Sequence, residues 1–199
     1  MSNCFRVFKE EYDMPKENQR VAISKHLLKT GLLRLLQKKH ITKISVSELC
    51  QEAEINRTTF YRHYETPNDV LMEIASDYVK DFRKSSSSLN TSQDLYDEIV
   101  QLCRFICNHA DMTKLLIRNN TNDGIMKIFQ ELCDDFVGKR KILYKGMSVD
   151  DDTLRLLSSF FSVGIYTLIS QWLIEDIPKT PEEIANLICC SFYSDVSFV

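Results

Sequence analysis

Helix start signals recur along the sequence and restrict the chain to a helical fold. Ser45 is followed three residues later by Glu48, the spacing of a capping box. Residues 66–69 and 180–183 each combine a capping threonine with proline at the first helical position and an acidic residue in the first turn. Apolar residues repeat at helical spacing between these signals, without strand-like alternation of useful length. The sequence therefore predicts an all-α protein.

The N-terminal third predicts three helices, of which the second and third are short. A long first helix is expected over about residues 16–38, and the helix that follows the capping box should end near Glu54. Asn56 is a suitable N-cap for the third helix, and Ile55 can pack on Phe60 as a hydrophobic staple. Two short helices joined by a tight turn and preceded by a longer helix are typical of a helix-turn-helix.

Four segments divide the chain by pattern and composition. We predict a tail over residues 1–15, a three-helix helix-turn-helix domain over 16–66, a connecting helix with a serine-rich boundary over 67–88, and a larger helical domain over 89–199. The serine run at the end of the third segment is polar and weakly helical, which favours a boundary there.

Charge is distributed unevenly along the chain. Residues 16–64 hold ten lysines and arginines against four acidic residues, a balance of +6, whereas residues 65–199 hold thirteen against twenty-one, a balance of −8. Binding to a polyanion needs a local positive field and not a basic protein overall. We therefore expect the N-terminal helices to face nucleic acid.

The seven cysteines are odd in number, and most occupy apolar positions of helical patterns. This usage is typical of reduced thiols, and we expect a cytoplasmic protein without disulfides. Cys103 and Cys107 are four residues apart with His109 nearby, a spacing that could hold a metal or sense oxidants. Because no second pair of ligands is visible, we expect buried, small apolar side chains there and neither a metal nor a cofactor.

Two further classes of protein are disfavoured by the sequence. Residues 156–174 contain no charge and approach the length of a membrane span, but serine, threonine and glutamine dilute the segment as in a buried helix. We therefore expect no membrane partner. The sequence contains no glycine-rich phosphate loop, nucleophile elbow or zinc motif, and an enzyme is not expected.

The third predicted helix has a side-chain pattern suited to DNA. Phe60 and Tyr64 are four residues apart and can both face inward. The remaining positions of residues 57–62 are then exposed, and they carry arginine, threonine and tyrosine. Such side chains can reach base edges or phosphate oxygens.

Residues 45–64 resemble the DNA-binding signature of TetR-family regulators. Family members place a polar capping residue where Ser45 stands, an aliphatic-small pair at Leu49 and Cys50, and an aromatic-rich helix end at residues 61–64. The similarity extends over about residues 20–74. It implies a dimeric regulator that binds a palindromic double-stranded DNA operator.

The chain departs from the family pattern at two positions. Glu54 stands where the family usually turns on glycine, and a residue with a Cβ disfavours the left-handed backbone of such a turn. Pro67 stands where a phosphate-contacting lysine is common, so one expected backbone contact is absent.

The resemblance implies three kinds of contact with DNA. The second helix should supply contacts to the DNA backbone, the start of the third helix should read bases, and the rest of the third helix should contact phosphate or the groove. Tyr61 and His63 could instead merely cover the edge of the core. The expected DNA-binding residues are Ser45, Ser47, Arg57, Thr58, Thr59, Tyr61, Arg62 and His63.

The penultimate helix is apolar on two faces, which predicts burial on two sides. TetR-like proteins dimerise through their last two helices, so the resemblance makes the C-terminal domain a dimerisation and effector domain. A monomer with a thick core is the alternative. The expected interface residues are Leu157, Phe161, Ile165, Leu168, Trp172, Ile184, Leu187 and Ile188.

Control by a small molecule is a further expectation, because the helix that begins after Thr66 follows the recognition helix directly and reaches into the C-terminal body. We expect a repressor released by a small apolar effector, and the alternative is a TetR-like protein controlled by a protein partner, as an activator subunit or structural DNA binder. The candidate pocket residues share aromatic character and helical spacing, and plain core is the favoured alternative for each of them. They are Tyr78, Phe82, Phe105, Phe129 and Tyr166.

Overall fold

The computed structural model describes residues 16–87, 95–119, 124–139 and 150–193. Every regular element in these ranges is helical, which confirms the predicted all-α class. A 3₁₀ turn at Ile41–Lys43 lies between the first two helices. The helices are α1 (Lys16–Leu36), α2 (Val46–Glu52), α3 (Arg57–Tyr61), α4 (Pro67–Ser87), α5 (Leu95–Asn108), α6 (Ala110–Arg118), α7 (Gly124–Lys139), α8 (Asp151–Ile174) and α9 (Pro181–Tyr193).

The chain divides into two compact units, residues 1–77 and 78–199. The division falls inside α4 and not at the serine run, where we had expected a boundary. The run prolongs α4 to Ser87, and Ser85 Oγ donates a hydrogen bond to the carbonyl oxygen of Phe82. A hydroxyl that bonds its own helix in this way is compatible with helical backbone.

Helices α1 to α3 and the first half of α4 share one apolar core in the N-terminal unit. The start of each short helix is capped as the sequence predicts: Ser45 Oγ accepts from the Glu48 amide, and Asn56 Oδ1 accepts from the Thr59 amide. These bonds satisfy amides that the first helical turn leaves without a partner. The most deeply buried side chains of this core are Leu28, Leu32, Leu49, Phe60, Val70 and Leu71.

The turn between α2 and α3 is closed by two backbone hydrogen bonds. The Ile55 amide donates to the Cys50 carbonyl at 2.9 Å, and the Glu54 amide donates to the Gln51 carbonyl at 3.2 Å. This pair of bonds defines a Schellman motif, which requires a left-handed residue after the helix cap. Glu54 adopts that conformation with φ of 55°. The turn therefore forms without the glycine that the family usually has.

Gly31 permits α1 to approach α2 closely. A Cβ atom at this position would lie 3.1 Å from Ala53 Cβ and 3.2 Å from Ala53 Cα. Since Ala53 caps α2, any larger residue at position 31 would push against the backbone that leads into the turn.

Helix α5 packs on α9, and α8 packs on α6 and α7, in the C-terminal unit. Trp172 is buried in the core of this unit, and its Nε1 donates to the Lys179 carbonyl at 3.0 Å. The α7–α8 contact includes polar pairs, Ser158 with Asp134 and Ser159 with Gln130. Further buried core residues are Cys103, Ile106, Ile169, Ile184, Ala185 and Ile188.

Cys107 corrects one sequence-based expectation. We expected both Cys103 and Cys107 to be buried, but only Cys103 lies in the core, and Cys107 is exposed. Cys107 is the penultimate residue of α5, whereas Cys103 lies one turn earlier in the helix. Burial raises the pKa of the Cys103 thiol to about 12. No group of three or more metal-ligating side chains occurs among the residues that the structure describes.

Helix α8 is long and apolar enough to cross a membrane by length and composition alone. Core helices of soluble proteins meet the same criterion. Ser158 and Ser162 are buried on this helix, and its start is capped by Asp150 Oδ1, which accepts from the Thr153 amide.

Replacing Glu54 by glycine should stabilise the N-terminal unit. Glycine removes the steric cost of left-handed backbone but increases the entropy of the unfolded chain, so we expect a net gain of about 0.5 to 1 kcal/mol. Hydrogen exchange of the α2 and α3 amides would measure this gain. Gln51→Gly, at an exposed helical position three residues earlier, should instead weaken protection. A loss of protection in Glu54→Gly would contradict the assigned turn.

Candidate nucleic-acid interface

Two aromatic side chains anchor α3 and its C-terminal end in the N-terminal unit. Phe60 is fully buried and Tyr64 nearly so, with their ring centroids 6.0 Å apart. This arrangement agrees with the inward orientation that their four-residue spacing predicts. The other side of α3 therefore carries the side chains that are free to meet a ligand.

The eight predicted DNA-contacting residues differ in exposure. Thr59 and His63 are partly buried, whereas the other six are exposed. Ser45 already accepts the Glu48 amide as the cap of α2, so capping is its role within the chain. The exposed group is Ser45, Ser47, Arg57, Thr58, Tyr61 and Arg62.

Arg57 and Ser47 are brought into direct contact. Arg57 Nη2 donates a hydrogen bond to Ser47 Oγ at 2.5 Å. The sequence analysis predicts that both residues contact DNA. It does not predict that they contact each other, because they lie on different helices.

His63 lies in a positively charged environment at the end of α3. Burial lowers the pKa of His63, and the positive charges of Lys25 and Arg62 lower it further. Histidine with a pKa below its usual range is neutral at neutral pH. His63 can therefore offer one N–H to an anion at neutral pH without carrying a charge itself.

Sequence reasoning missed a cluster of charged residues that joins α1, α4 and the end of α3. Glu73 Oε2 lies 3.0 Å from Lys25 Nζ and accepts a hydrogen bond from Tyr64 Oη at 2.9 Å. Glu73 Oε1 lies 2.8 Å from Lys29 Nζ. Lys29 also binds Asp77 Oδ2 at 2.6 Å. The sequence contains one signal that could have predicted this cluster: two lysines four residues apart on α1 and two acidic residues four residues apart on α4.

The cluster changes the ionisation of its members. Burial alone would raise the pKa of Glu73, but hydrogen bonds from Lys29, Lys25 and Tyr64 outweigh it and lower the pKa to about 2. Burial and the hydrogen bond to Glu73 raise the pKa of Tyr64. Glu73 is therefore ionised and Tyr64 neutral throughout the physiological range.

The predicted interface residues of α8 and α9 fall into three groups by exposure. Trp172, Ile184 and Ile188 are buried within the C-terminal unit itself, so another surface would have to meet a partner. Leu187 is exposed, and the remaining four are partly buried. The sequence predicts burial on two sides of α8, but the chain itself leaves one apolar side exposed, with Leu156, Phe160 and Val163 along it.

The predicted pocket residues form two aromatic groups in the C-terminal unit. Phe105 packs on Tyr78, with ring centroids 5.1 Å apart, and on Phe82 at 5.4 Å. Phe129 and Tyr166 form a separate pair at 5.8 Å. Tyr78 Oη is hydrogen-bonded to Thr113 Oγ1.

Together these features define a class of protein. Two short capped helices joined by a tight turn, with exposed arginine, threonine and tyrosine on the second, form a helix-turn-helix. A larger all-helical unit follows it. This is the organisation of a helix-turn-helix transcription regulator.

Residues 93–192 match the family described as "Transcriptional regulator C-terminal region", one of the TetR C-terminal families. This match covers half of the chain, and the protein belongs to the TetR family of transcriptional regulators. Members of this family are generally non-enzymatic DNA-binding proteins. No curated protein sequence matches the chain.

Solved structures share the fold at low sequence identity. A TetR transcriptional regulator from Streptococcus agalactiae aligns with a TM-score of 0.68 at 18% identity, over 88% of this chain and 97% of that one. A TetR-family regulator from Syntrophomonas wolfei aligns with a TM-score of 0.62 at 15% identity, over 88% and 94%. The dihydroxyacetone kinase operon activator DhaS aligns with a TM-score of 0.52 at 19% identity, over 86% and 94%.

Glu73→Gln should destabilise the N-terminal unit by about 1 to 2 kcal/mol at neutral pH, because two lysines lose a charged partner. The lowered pKa means that Glu73 contributes stability above pH 4.5, and that this contribution is lost as pH falls toward about 2. The variant should therefore lose less stability over that acid range than the wild type. Urea titrations followed by circular dichroism would measure both effects.

Glu52→Gln is the matched control for this prediction. The Glu52 side chain is 29% exposed, against 27% for Glu73, but it has one ion-pair partner, Arg34, at 3.7 Å. We expect a loss below about 1 kcal/mol for this single loose pair. Equal losses in the two variants, or an unchanged acid profile in Glu73→Gln, would show that the cluster does not stabilise the unit.

Proposed function

We propose that the protein is a sequence-specific DNA-binding regulator that binds a palindromic operator as a homodimer. The observation that carries this proposal is the capped and core-anchored α3 with its C-terminal cap, whose exposed side presents Arg57, Thr58, Tyr61 and Arg62. Helix α3 would enter the major groove, as the second helix of a helix-turn-helix does.

The roles of the exposed side chains follow from their chemistry and position. Arg57 is the first residue of α3, and its guanidinium group can form two hydrogen bonds to guanine. Arg62 caps the C-terminal end of α3, where a cation suits phosphate better than a base edge. The net charge of +6 over residues 16–64 supplies the positive field that draws the unit to DNA.

Arg57→Ala and Arg62→Ala should weaken DNA binding in different ways. Loss of Arg62 should reduce the slope of log affinity against log salt by about 0.9 and leave the preferred sequence unchanged. Loss of Arg57 should cost about 1 to 3 kcal/mol at one base pair and relax the preference there. Fluorescence anisotropy with the wild-type consensus duplex and single-base variants, at several salt concentrations, would measure both.

A uniform loss on all sequences for Arg57→Ala would make Arg57 a phosphate contact. Failure of the wild-type chain to prefer any sequence would contradict the proposed function itself.

The proposed dimer surface is the exposed apolar face of α8 together with Leu187 of α9. Phe160 is 72% exposed and Leu156 is 69% exposed, which is costly for large apolar side chains in water. Val163 continues the same side of α8 at helical spacing. A second copy of the chain would cover this face, and it would place two recognition helices on one operator.

Val163→Asp should dissociate the dimer, because a charge would be buried in an apolar interface. Ile23→Asp is the matched control: Ile23 is a β-branched residue on α1 with 53% exposure, against 55% for Val163. Sedimentation velocity should show a monomer for Val163→Asp and a dimer for Ile23→Asp and the wild type. A monomeric wild type, or a dimeric Val163→Asp, would contradict the proposed surface.

We further propose that a small apolar effector binds the C-terminal unit and releases the protein from DNA, as a repressor would require. The aromatic group around Phe105 supports this reading, and α4 is one continuous helix that contributes residues to both units. Control by a protein partner is the second candidate, and DhaS shows that a protein of similar fold can be an activator. Release of DNA by small apolar molecules alone would favour the first candidate.

We place this activity in the cytoplasm, where TetR-family regulators generally work. The neutral thiols of the buried Cys50 and Cys103, whose pKa values are raised by burial, are consistent with reduced cysteines.

A further inference from the structure

The Arg57 side chain is held by a neighbouring helix before any DNA is present. Its Nη2 donates to Ser47 Oγ at 2.5 Å, and the two residues are ten positions apart on α3 and α2. Both residues are exposed, so this hydrogen bond lies on the surface that α3 presents. Neither side chain is needed to cap the helix to which it belongs.

The backbone between the two residues is fixed. The α2–α3 turn is closed by the bond from the Ile55 amide to the Cys50 carbonyl, and α3 begins at a cap in which Asn56 Oδ1 accepts from the Thr59 amide at 2.7 Å. The separation of the Cα atoms of Ser47 and Arg57 is therefore set by main-chain geometry. The rotamer of the Arg57 side chain then determines whether the guanidinium group reaches Ser47.

A second observation also places the guanidinium group over α2. Ser47 and Cys50 are three residues apart and share one side of that helix. Burial raises the pKa of the Cys50 thiol, and the positive charge of Arg57 opposes that rise, so the charge lies near Cys50 as well. The guanidinium group therefore lies beside α2.

A fixed arginine has an advantage in reading a base. Arginine loses much rotamer freedom when it is immobilised on a ligand, and a side chain oriented beforehand loses less on binding. The bond to Ser47 uses one of five guanidinium donors, which leaves enough donors for a bidentate contact with guanine.

We propose that Ser47 is a positioning residue, whose hydroxyl orients Arg57 for base recognition, and that it is not an independent contact to the DNA backbone. The proposal rests on the proposed DNA-binding function and deepens it, because it assigns part of the sequence preference to a residue on α2. It replaces the phosphate contact that the family resemblance implies for Ser47.

A double-mutant cycle on the full-length chain tests this proposal. The affinities of the wild type, Ser47→Ala, Arg57→Ala and the double variant are measured on the wild-type consensus duplex and on duplexes changed at one base pair. Ser47→Ala alone should weaken binding about 2- to 10-fold and relax preference at the same base pair as Arg57→Ala. In the Arg57→Ala background, the same change should alter affinity less than about 2-fold.

Two further variants serve as controls. Ser47→Thr retains a hydroxyl at the same position and should restore both affinity and base preference. Tyr61→Phe removes an exposed hydroxyl that has no bond to Arg57, and its effect should be the same with and without Arg57.

An equal loss from Ser47→Ala in both backgrounds, with base preference unchanged, would overturn the proposal and make Ser47 a phosphate contact. No effect of Ser47→Ala in either background would overturn it as well. These outcomes are distinct from failure of the proposed function, in which the wild-type chain itself shows no sequence preference.

Discussion

The Glu73 carboxylate holds together the parts of the N-terminal unit that the recognition helix depends on. It binds two lysines of α1 and the hydroxyl of Tyr64, the residue that anchors the C-terminal end of α3 in the core. Because Glu73 is itself on α4, one partly buried side chain links three helices. A charge in this position is stable only while its partners remain in place. The orientation of α3 is therefore tied to α1 and α4 by electrostatics as well as by packing.

Local signals in the sequence predicted the helices of this unit well. The caps at Ser45 and Asn56 act between residues three positions apart, so the sequence contains all that determines them. Glu54 adopts a left-handed backbone conformation that glutamate disfavours. The two Schellman hydrogen bonds and the burial of Phe60 favour this one backbone path over the alternatives. The pairing of Lys25 with Glu73 spans 48 residues, and periodicity cannot say which surfaces of two helices meet.

Periodicity likewise does not tell which surfaces of α8 and α9 meet other parts of the chain. Their sequences show apolar residues on more than one side, but they do not show which side the chain covers itself. The structure buries Trp172 and Ile188 within the C-terminal unit and leaves Phe160 exposed. Our proposed dimer surface therefore differs from the one that the sequence favoured, although it uses the same two helices. The contact between Ser47 and Arg57 was likewise invisible in the sequence, because it depends on the angle between α2 and α3.

We propose that this TetR-family protein reads a palindromic DNA sequence through a pair of α3 helices. Selection of bound fragments from a random pool of double-stranded DNA by the full-length chain tests that claim most directly, since one consensus reports specificity, symmetry and spacing. We predict two inverted half-sites whose centres are about 34 Å apart, one turn of B-DNA, or a multiple of that distance. Recovery of no consensus, or of a single half-site without a symmetric partner, would contradict the account.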